Sequence, residues 1–138
     1  LEQTLGKRRY LCGDRLSLVD LRLFMTLVRF DRVYYTHFKC NKRLIAQYPH
    51  LSAYTRDIFQ MPLASSIERT VGDTVDMQHI AYHYHWSHES INPHRIVTRG
   101  GETDFNAPHS RHKMRMLITD VMDLVAQQKT PTLTLLAS

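Results

Sequence analysis

A chain of 138 residues with 43% hydrophobic and 22% charged side chains is long enough for one domain with its own core and too short for two ordinary ones. That composition excludes a disordered tail, and no apolar run approaches the roughly 20 residues needed to span a bilayer. The formal net charge of +5 falls in short groups: Lys7-Arg8-Arg9, Lys39 with Lys42-Arg43, and Arg111 to Arg115. There is no aromatic-interleaved basic stripe, so a solvated basic surface is expected and not nucleic-acid binding.

In chain order, LEQTL reads as the tail of a helix. With no methionine ahead of Leu1, an upstream part is expected. A Gly13-Asp14 corner follows, and then the strongest local signal, Ser17 to Asp20. Ser17 is placed to cap the amide three residues on, and Asp20 to reach back to the amide of Ser17. Leu16 and Leu21 are spaced for a hydrophobic staple across this cap. The helix from Leu18 to Phe30 is expected to bury Leu21, Phe24, Leu27 and Val28, with Leu23 and Phe30 widening the stripe, at the centre of the domain.

Lys42 to Tyr48 reads as a short helix stopped by Pro49, which suits the first position of the next helix. That helix, to about Phe59, carries Leu51, Tyr54, Ile58 and Phe59. Leu63 to Glu68 is read as a further helical turn or two, and Asp76 to about Tyr84 as a helix capped by Asp76. From Ser90 to His112 the periodicity lapses among Asn92-Pro93, Gly100-Gly101 and Ala107-Pro108. It returns from Met114 to Val125. With no alternating strand pattern, the fold class is all-α.

Several residues could carry chemistry. His79 and His83 lie four apart, His85 and His88 follow, and His37 precedes Cys40 by three, which invites a metal reading. The zinc-protease pattern would need a glutamate where Ile80 stands, and no four-ligand set has suitable spacing, so hydrogen-bonded or surface histidines and no metal are expected. Cys40 lies among Lys39, Lys42, Arg43 and His37, which could lower its pKa, but no partner base can be placed. Cys12 reads as a packing residue. Two distant cysteines suit a reducing compartment, and a cytoplasmic location is expected. Tyr82, Tyr84 and Trp86 beside His83 and His85 are either core and surface packing or one wall for a flat organic ligand, with a phenol offering a hydrogen bond.

The stretches YLCGDRLSLVDLRLF, TLVRFDRVYYTHFKCN, QYPHL, RDIFQMP, HIAYHYHWSHESINP and DFNAPHSR together resemble the C-terminal domain of the glutathionyl-hydroquinone reductases, the Xi-class glutathione transferases. The resemblance runs from Tyr10 to Arg111 and rests on RFDxVYxxHFKCN and SHxxINP. It implies a glutathione transferase C-terminal-like helical bundle over residues 1–112; the tail matches nothing in the family, and residues 113–138 are read as an extension of unknown role, helical and then disordered. It also implies a two-domain subunit and a homodimer. An upstream thioredoxin-like domain would bind the co-substrate glutathione and carry the catalytic cysteine, so neither Cys12 nor Cys40 is that nucleophile.

In the family reaction the thiolate attacks the glutathione sulfur of a glutathionyl-hydroquinone, frees the hydroquinone, and is resolved by a second glutathione. The resemblance assigns Tyr84, the tyrosine of HIxxHY, to the hydroquinone oxygen, with His83 and Tyr34 as further substrate-binding residues. It places no catalytic residue in this chain, and the chain alone is expected to be inactive. Departures from the family pattern are an insertion between Leu63 and Asp73, His85 where an aromatic is usual, and Arg95 in place of a glycine. The alternative reading is a non-catalytic, transferase-like domain used for protein association.

Overall fold

The computed structural model describes residues 1–101 and 103–114. The chain enters through α1 (Glu2–Lys7) and turns a tight corner in which Tyr10 and Gly13 exchange backbone hydrogen bonds of 2.8 and 3.2 Å. Gly13 sits at φ 124°, a backbone conformation that favours glycine. The corner delivers Ser17 to the start of α2 (Leu18–Arg29), where the Asp20 half of the expected capping box forms while the Asp20 amide bonds the Ser17 carbonyl and not its side chain. Asp20 Oδ2 accepts the Ser17 amide at 2.9 Å, and the Ser17 hydroxyl turns the same way and donates to Oδ2 at 2.5 Å.

Asp20 does more than cap. Its side chain is fully buried, and Oδ1 accepts the Leu11 amide at 2.8 Å and the Tyr54 hydroxyl at 2.9 Å. Burial opposes its charge, but the hydrogen bonds from Leu11, Ser17 and Tyr54 prevail and hold the carboxyl below its usual range. Burial and the bond to Asp20 push the Tyr54 phenol up, so Tyr54 keeps its proton and donates.

Phe24, Leu27 and Val28 of α2 are buried as expected. Leu21 is not: it is 38% exposed, and Leu18 and Met25 beside it are exposed too. The Leu21 end of the expected core stripe is therefore corrected. Spacings of three and four leave Leu18, Leu21 and Met25 together on the outer face of α2. The rod continues past α2 through a π-helical turn (Phe30–Tyr34) into α3 (Tyr35–His37). The wider turn shifts the helix face by one residue, which re-aims Tyr34 and His37.

The helix expected over Lys42 to Tyr48 is reduced to one 3-10 turn, Ile45–Gln47. Asp31 starts it from outside, accepting the Ile45 and Ala46 amides at 2.6 and 2.9 Å, and Pro49 opens the next helix immediately after it. That helix, α4 (Pro49–Phe59), buries Leu51, Tyr54 and Ile58. Its N-terminus is capped from the far end of the chain: Glu2 accepts the His50 and Leu51 amides, both at 2.8 Å.

The helical turns expected from Leu63 to Glu68 are instead a hairpin of β1 (Pro62–Leu63) and β2 (Ser66–Thr70), antiparallel with Pro62 opposite Thr70 and Leu63 opposite Ser66. Pro62 cannot donate a helical amide bond, Ala64-Ser65 turn the chain, and the β-branched Ile67 and Thr70 suit a strand. Ile67 stands 92% exposed on the hairpin. The bundle remains helical, with this hairpin as an appendage.

A 3-10 turn (Val71–Thr74) leads to α5 (Met77–Ser87), where Asp76 caps the His79 amide at 2.8 Å. The helix runs three residues beyond the expected Tyr84. The following segment is irregular, as expected, and is held by side chains. Phe105 stacks on Phe59 with ring centroids 4.8 Å apart, and Gln60 donates to the Phe105 and Ala107 carbonyls. Arg111 donates to the Leu5, Arg8 and Arg9 carbonyls at 2.9, 2.6 and 2.6 Å, closing the C-terminal end of α1, while Arg9 grips buried Asp57 through two bonds of 2.9 and 2.8 Å. From residue 115 on, the helix expected over Met114 to Val125 and the rest of the expected extension lie outside the described residues. No helix among the described residues is long and apolar enough to cross a membrane.

Asp20→Ala leaves four donors without their acceptor and should cost about 3 kcal/mol, against about 1 kcal/mol for Ser17→Ala. Urea unfolding midpoints check the order, and equal losses would reduce Asp20 to an ordinary cap. Because the folded-state pKa of Asp20 is depressed, its contribution is complete above the unfolded carboxylate value of about 4. It is lost as pH falls through the lower folded value, so the gap between wild type and Asp20→Asn should shrink in acid.

Candidate functional site

The π-helical turn and α5 face one another, and their aromatic residues interlock. Tyr34 and Tyr84 meet hydroxyl to hydroxyl at 2.9 Å, with ring centroids 5.4 Å apart in an edge-to-face arrangement. Phe38 closes the third side, 5.3 Å from Tyr34 and 5.8 Å from Tyr84. Both phenols are half-buried. Burial first, and then the bond to Tyr84, push the Tyr34 phenol up to about 12. A pair of phenols linked by one hydrogen bond consumes one O–H and leaves the other to a third partner. Either hydroxyl can serve as the inner donor, so the pair as a whole keeps one O–H for a third partner.

His83 is exposed. Its ring lies 5.2 Å from that of Tyr84 and stacks on His79 at 6.3 Å. His79 in turn lines a groove of about 410 Å³ between α2 and α5, whose walls include Leu21, Met25, Arg29 and Ile80. The single wall of Tyr82, Tyr84 and Trp86 weighed from the sequence is not formed. A helix turns about 100° per residue, so residues two apart diverge. Tyr82 and Trp86 share another face, 6.5 Å apart and about half exposed, with Arg95 lying over Trp86 at 5.5 Å.

Behind the tyrosines lies a layer of histidines with specific partners. His85, 1% exposed, places Nδ1 2.8 Å from the Ala81 carbonyl and Nε2 3.0 Å from Thr98 Oγ1. A carbonyl only accepts, so Nδ1 carries the proton, and in the neutral ring Nε2 accepts from Thr98. The Thr36 hydroxyl lies 2.9 Å from that of Thr98. His37, also buried, sets Nε2 3.0 Å from His88 Nδ1, with the two rings stacked. Burial, followed by His85, His88 and Lys39, lowers the His37 pKa.

Asn92 ties off the end of α5, donating to the His85 carbonyl at 2.9 Å and to the Ile96 carbonyl at 3.0 Å. Arg32 donates to the Thr98 and Arg99 carbonyls. Gly100, at φ 66°, approaches the Arg32 backbone so closely that a Cβ would collide with its carbonyl. Thr98 and Gly100 gave no signal in the sequence beyond a loop, and Asn92 none beyond its place in SHxxINP, since their roles depend on partners in α5 and in the π-helical turn.

Among the described residues no group of three or more His, Cys, Asp or Glu is placed to hold a metal ion. Cys12 and Cys40 are both exposed free thiols, and Cys40 Sγ lies 3.9 Å from the Phe38 carbonyl.

Comparison with known proteins gives this geometry a family. Residues 1–57 match the model of the glutathione S-transferase C-terminal domain. The glutathionyl-hydroquinone reductase YqjG of Escherichia coli is 48% identical over 111 residues, covering 80% of this chain and 32% of that protein. The glutathionyl-hydroquinone reductase PcpF of Sphingobium chlorophenolicum is 48% identical over 100 residues, covering 72% and 30%. Among solved structures, glutathione-bound YqjG superposes with a TM-score of 0.74 at 47% identity, over 81% of this chain and 34% of that one. The Xi-class transferase of Natrialba magadii superposes with a TM-score of 0.74 at 46% identity, over 81% and 32%. The chain therefore spans about one third of the length of the relatives it matches. By family-model match, sequence identity and superposed fold alike, it belongs to the C-terminal domain family of the glutathione transferases and is similar to its Xi class.

Proposed function

We propose that this domain supplies the hydroquinone-binding wall of a glutathione-dependent reductase that removes glutathione from glutathionyl-hydroquinones. The observation that carries the reading is the tyrosine pair: Tyr34 and Tyr84 at 2.9 Å, both half-buried, with one phenolic proton left over. A hydroquinone is a flat ring with an oxygen at its edge. Phe38, Tyr34 and Tyr84 offer ring faces and edges for the one, and the pair's remaining O–H, assigned in this reading to Tyr84, offers a donor for the other. Relatives named for this activity share nearly half their aligned residues with this chain.

In the proposed reaction a cysteine thiolate from another part of the protein attacks the glutathione sulfur. The new S–S bond forms as the aryl C–S bond breaks, and the ring carbon takes the electron pair and a proton. A second glutathione thiolate then attacks the mixed disulfide, giving glutathione disulfide and the restored thiol. Tyr84 donates to the substrate oxygen throughout. Tyr34 acts through Tyr84: by donating to its oxygen it keeps the outer O–H directed at substrate. His83 flanks the same edge. Tyr82 and Trp86 take no part, since they share another face of α5.

The test is a chimaera in which residues 1–111 replace the matching part of the Escherichia coli relative. Tyr84→Phe keeps the ring and removes one hydrogen bond to a neutral partner. It should lower kcat/KM by about 0.5–1.5 kcal/mol, roughly a few-fold to tenfold. Tyr34→Phe, which leaves the Tyr84 hydroxyl in place, should cost less. Full activity in Tyr84→Phe together with a markedly lower melting temperature would make Tyr84 a packing residue and end this reading.

The purified 138-residue chain should show no turnover of a glutathionyl-hydroquinone. Turnover there would place the nucleophile within it and make Cys40 the first residue to replace.

A further inference from the structure

Two side-chain hydrogen bonds join the same two elements on one face. Tyr34 and His37 are three residues apart across the π-helical turn and α3, and Tyr84 and His88 are four apart along the end of α5. Each pair is therefore stacked about one turn along its own element. Across the gap Tyr34 meets Tyr84 at 2.9 Å and His37 meets His88 at 3.0 Å, two rungs of one ladder. Edge contacts tie the rungs together: His88 lies 5.6 Å from the Tyr84 ring and His37 lies 6.5 Å from it.

The lower rung is unlike the upper one. A bond between two imidazole nitrogens needs one N–H and one bare nitrogen, which the pair has while it carries no added proton or one. With both rings protonated, two N–H groups face each other at 3.0 Å and the rung cannot form.

The groups facing His37 oppose its second charge. Lys39 follows on its own element, and Tyr84, His85 and His88 face it from α5. No carboxylate acts on it among the described residues. His85 cannot replace His88 as partner, because the Ala81 carbonyl and Thr98 occupy both of its nitrogens.

We propose that His37 and His88 are positioning residues: a proton-sensitive clasp that holds Tyr84 against Tyr34 while the pair carries at most one proton and releases it when both rings are protonated. The clasp stands on geometry, and its value to catalysis rests on the hydroquinone reading above. It makes the tyrosine wall complete near neutral pH and open in acid, because burial, followed by the neighbouring imidazoles and Lys39, already disfavours charge on His37. Gln at position 88 can donate to or accept from His37 in either protonation state, so His88→Gln keeps the rung and removes its response to pH.

The first measurement needs no ligand. Nuclear magnetic resonance titration of the 138-residue chain follows the imidazole nitrogens of His37 and His88 and the ring signals of Tyr34 and Tyr84. The expected result is that the tyrosine signals shift through the same acid inflection as the two histidines, and stay flat in His88→Gln. Tyrosine signals that move unchanged in His88→Gln, or that ignore the histidine inflection in wild type, overturn the clasp. Should His88→Gln fail to fold, the reciprocal His37→Gln decides by the same criterion.

In the chimaera, wild-type KM for a glutathionyl-hydroquinone should rise in acid while that of His88→Gln holds, with the cysteine-dependent fall in kcat common to both. A parallel KM in the two proteins overturns the catalytic role of the clasp. If no phenolic substrate is turned over at any pH, the hydroquinone reading fails, and the ligand-free titration still decides the clasp.

Discussion

The buried carboxylate of Asp20 organises this domain. Four donors converge on it: the Leu11 and Ser17 amides, the Ser17 hydroxyl and the Tyr54 phenol. They come from the entry corner, from the start of α2 and from the middle of α4, so one charge fixes three segments relative to each other. A buried anion without such partners would be neutralised by a raised pKa, whereas here hydrogen bonding outweighs burial and the group stays ionised at neutral pH. The apolar contacts of Phe24, Leu27, Tyr54 and Ile58 then fill the space between helices already set at the right distance.

The same device recurs at smaller scale. Glu2 caps α4 from the first turn of the chain, Asp31 caps the 3-10 turn at Ile45 and accepts from Thr103, and Arg111 closes the C-terminal end of α1. Each satisfies terminal backbone groups with a side chain from a distant segment, where most helices use a neighbour. In a domain of short helices this matters, because a helix of six or eleven residues has little stability of its own. The long irregular segment after α5 is held in the same way, by Asn92, Arg32, Gln60 and Arg111 donating to backbone carbonyls.

The candidate site inherits its precision from that framework. The π-helical turn shifts the register after α2 so that Tyr34 and His37 face α5 instead of continuing the core stripe of Phe24 and Val28. On α5 the sides divide by angle: Ile80, Ala81 and His85 turn inward, Tyr84 and His88 meet the π-helical turn, and Tyr82 and Trp86 share another face. His85 fills a buried position with a polar ring and is satisfied by Ala81 and Thr98, so no orphaned group is left behind the wall.

The sequence by itself determined the parts of this protein that depend on neighbours along the chain. The Asp20 half of the capping box, the Pro49 start of α4, the Asp76 cap of α5 and the lapse after Ser90 all rest on interactions within a few residues, and local periodicity exposes those. The family was legible for the same reason, since RFDxVYxxHFKCN and SHxxINP are continuous strings. Tertiary structure decided what depends on groups brought from afar. Leu21 lies outside the buried stripe because its face of α2 borders the open groove towards α5. The segment after Pro62 is a hairpin because its two halves pair with each other. Tyr84 gains a hydrogen-bond partner because packing brings Tyr34, fifty positions away, to its hydroxyl, and His37 becomes half of a hydrogen-bonded pair only once α5 delivers His88. Sequence spacing carries the angle at which a side chain leaves its own helix, but the partner it finds there is set by the packing of the other elements.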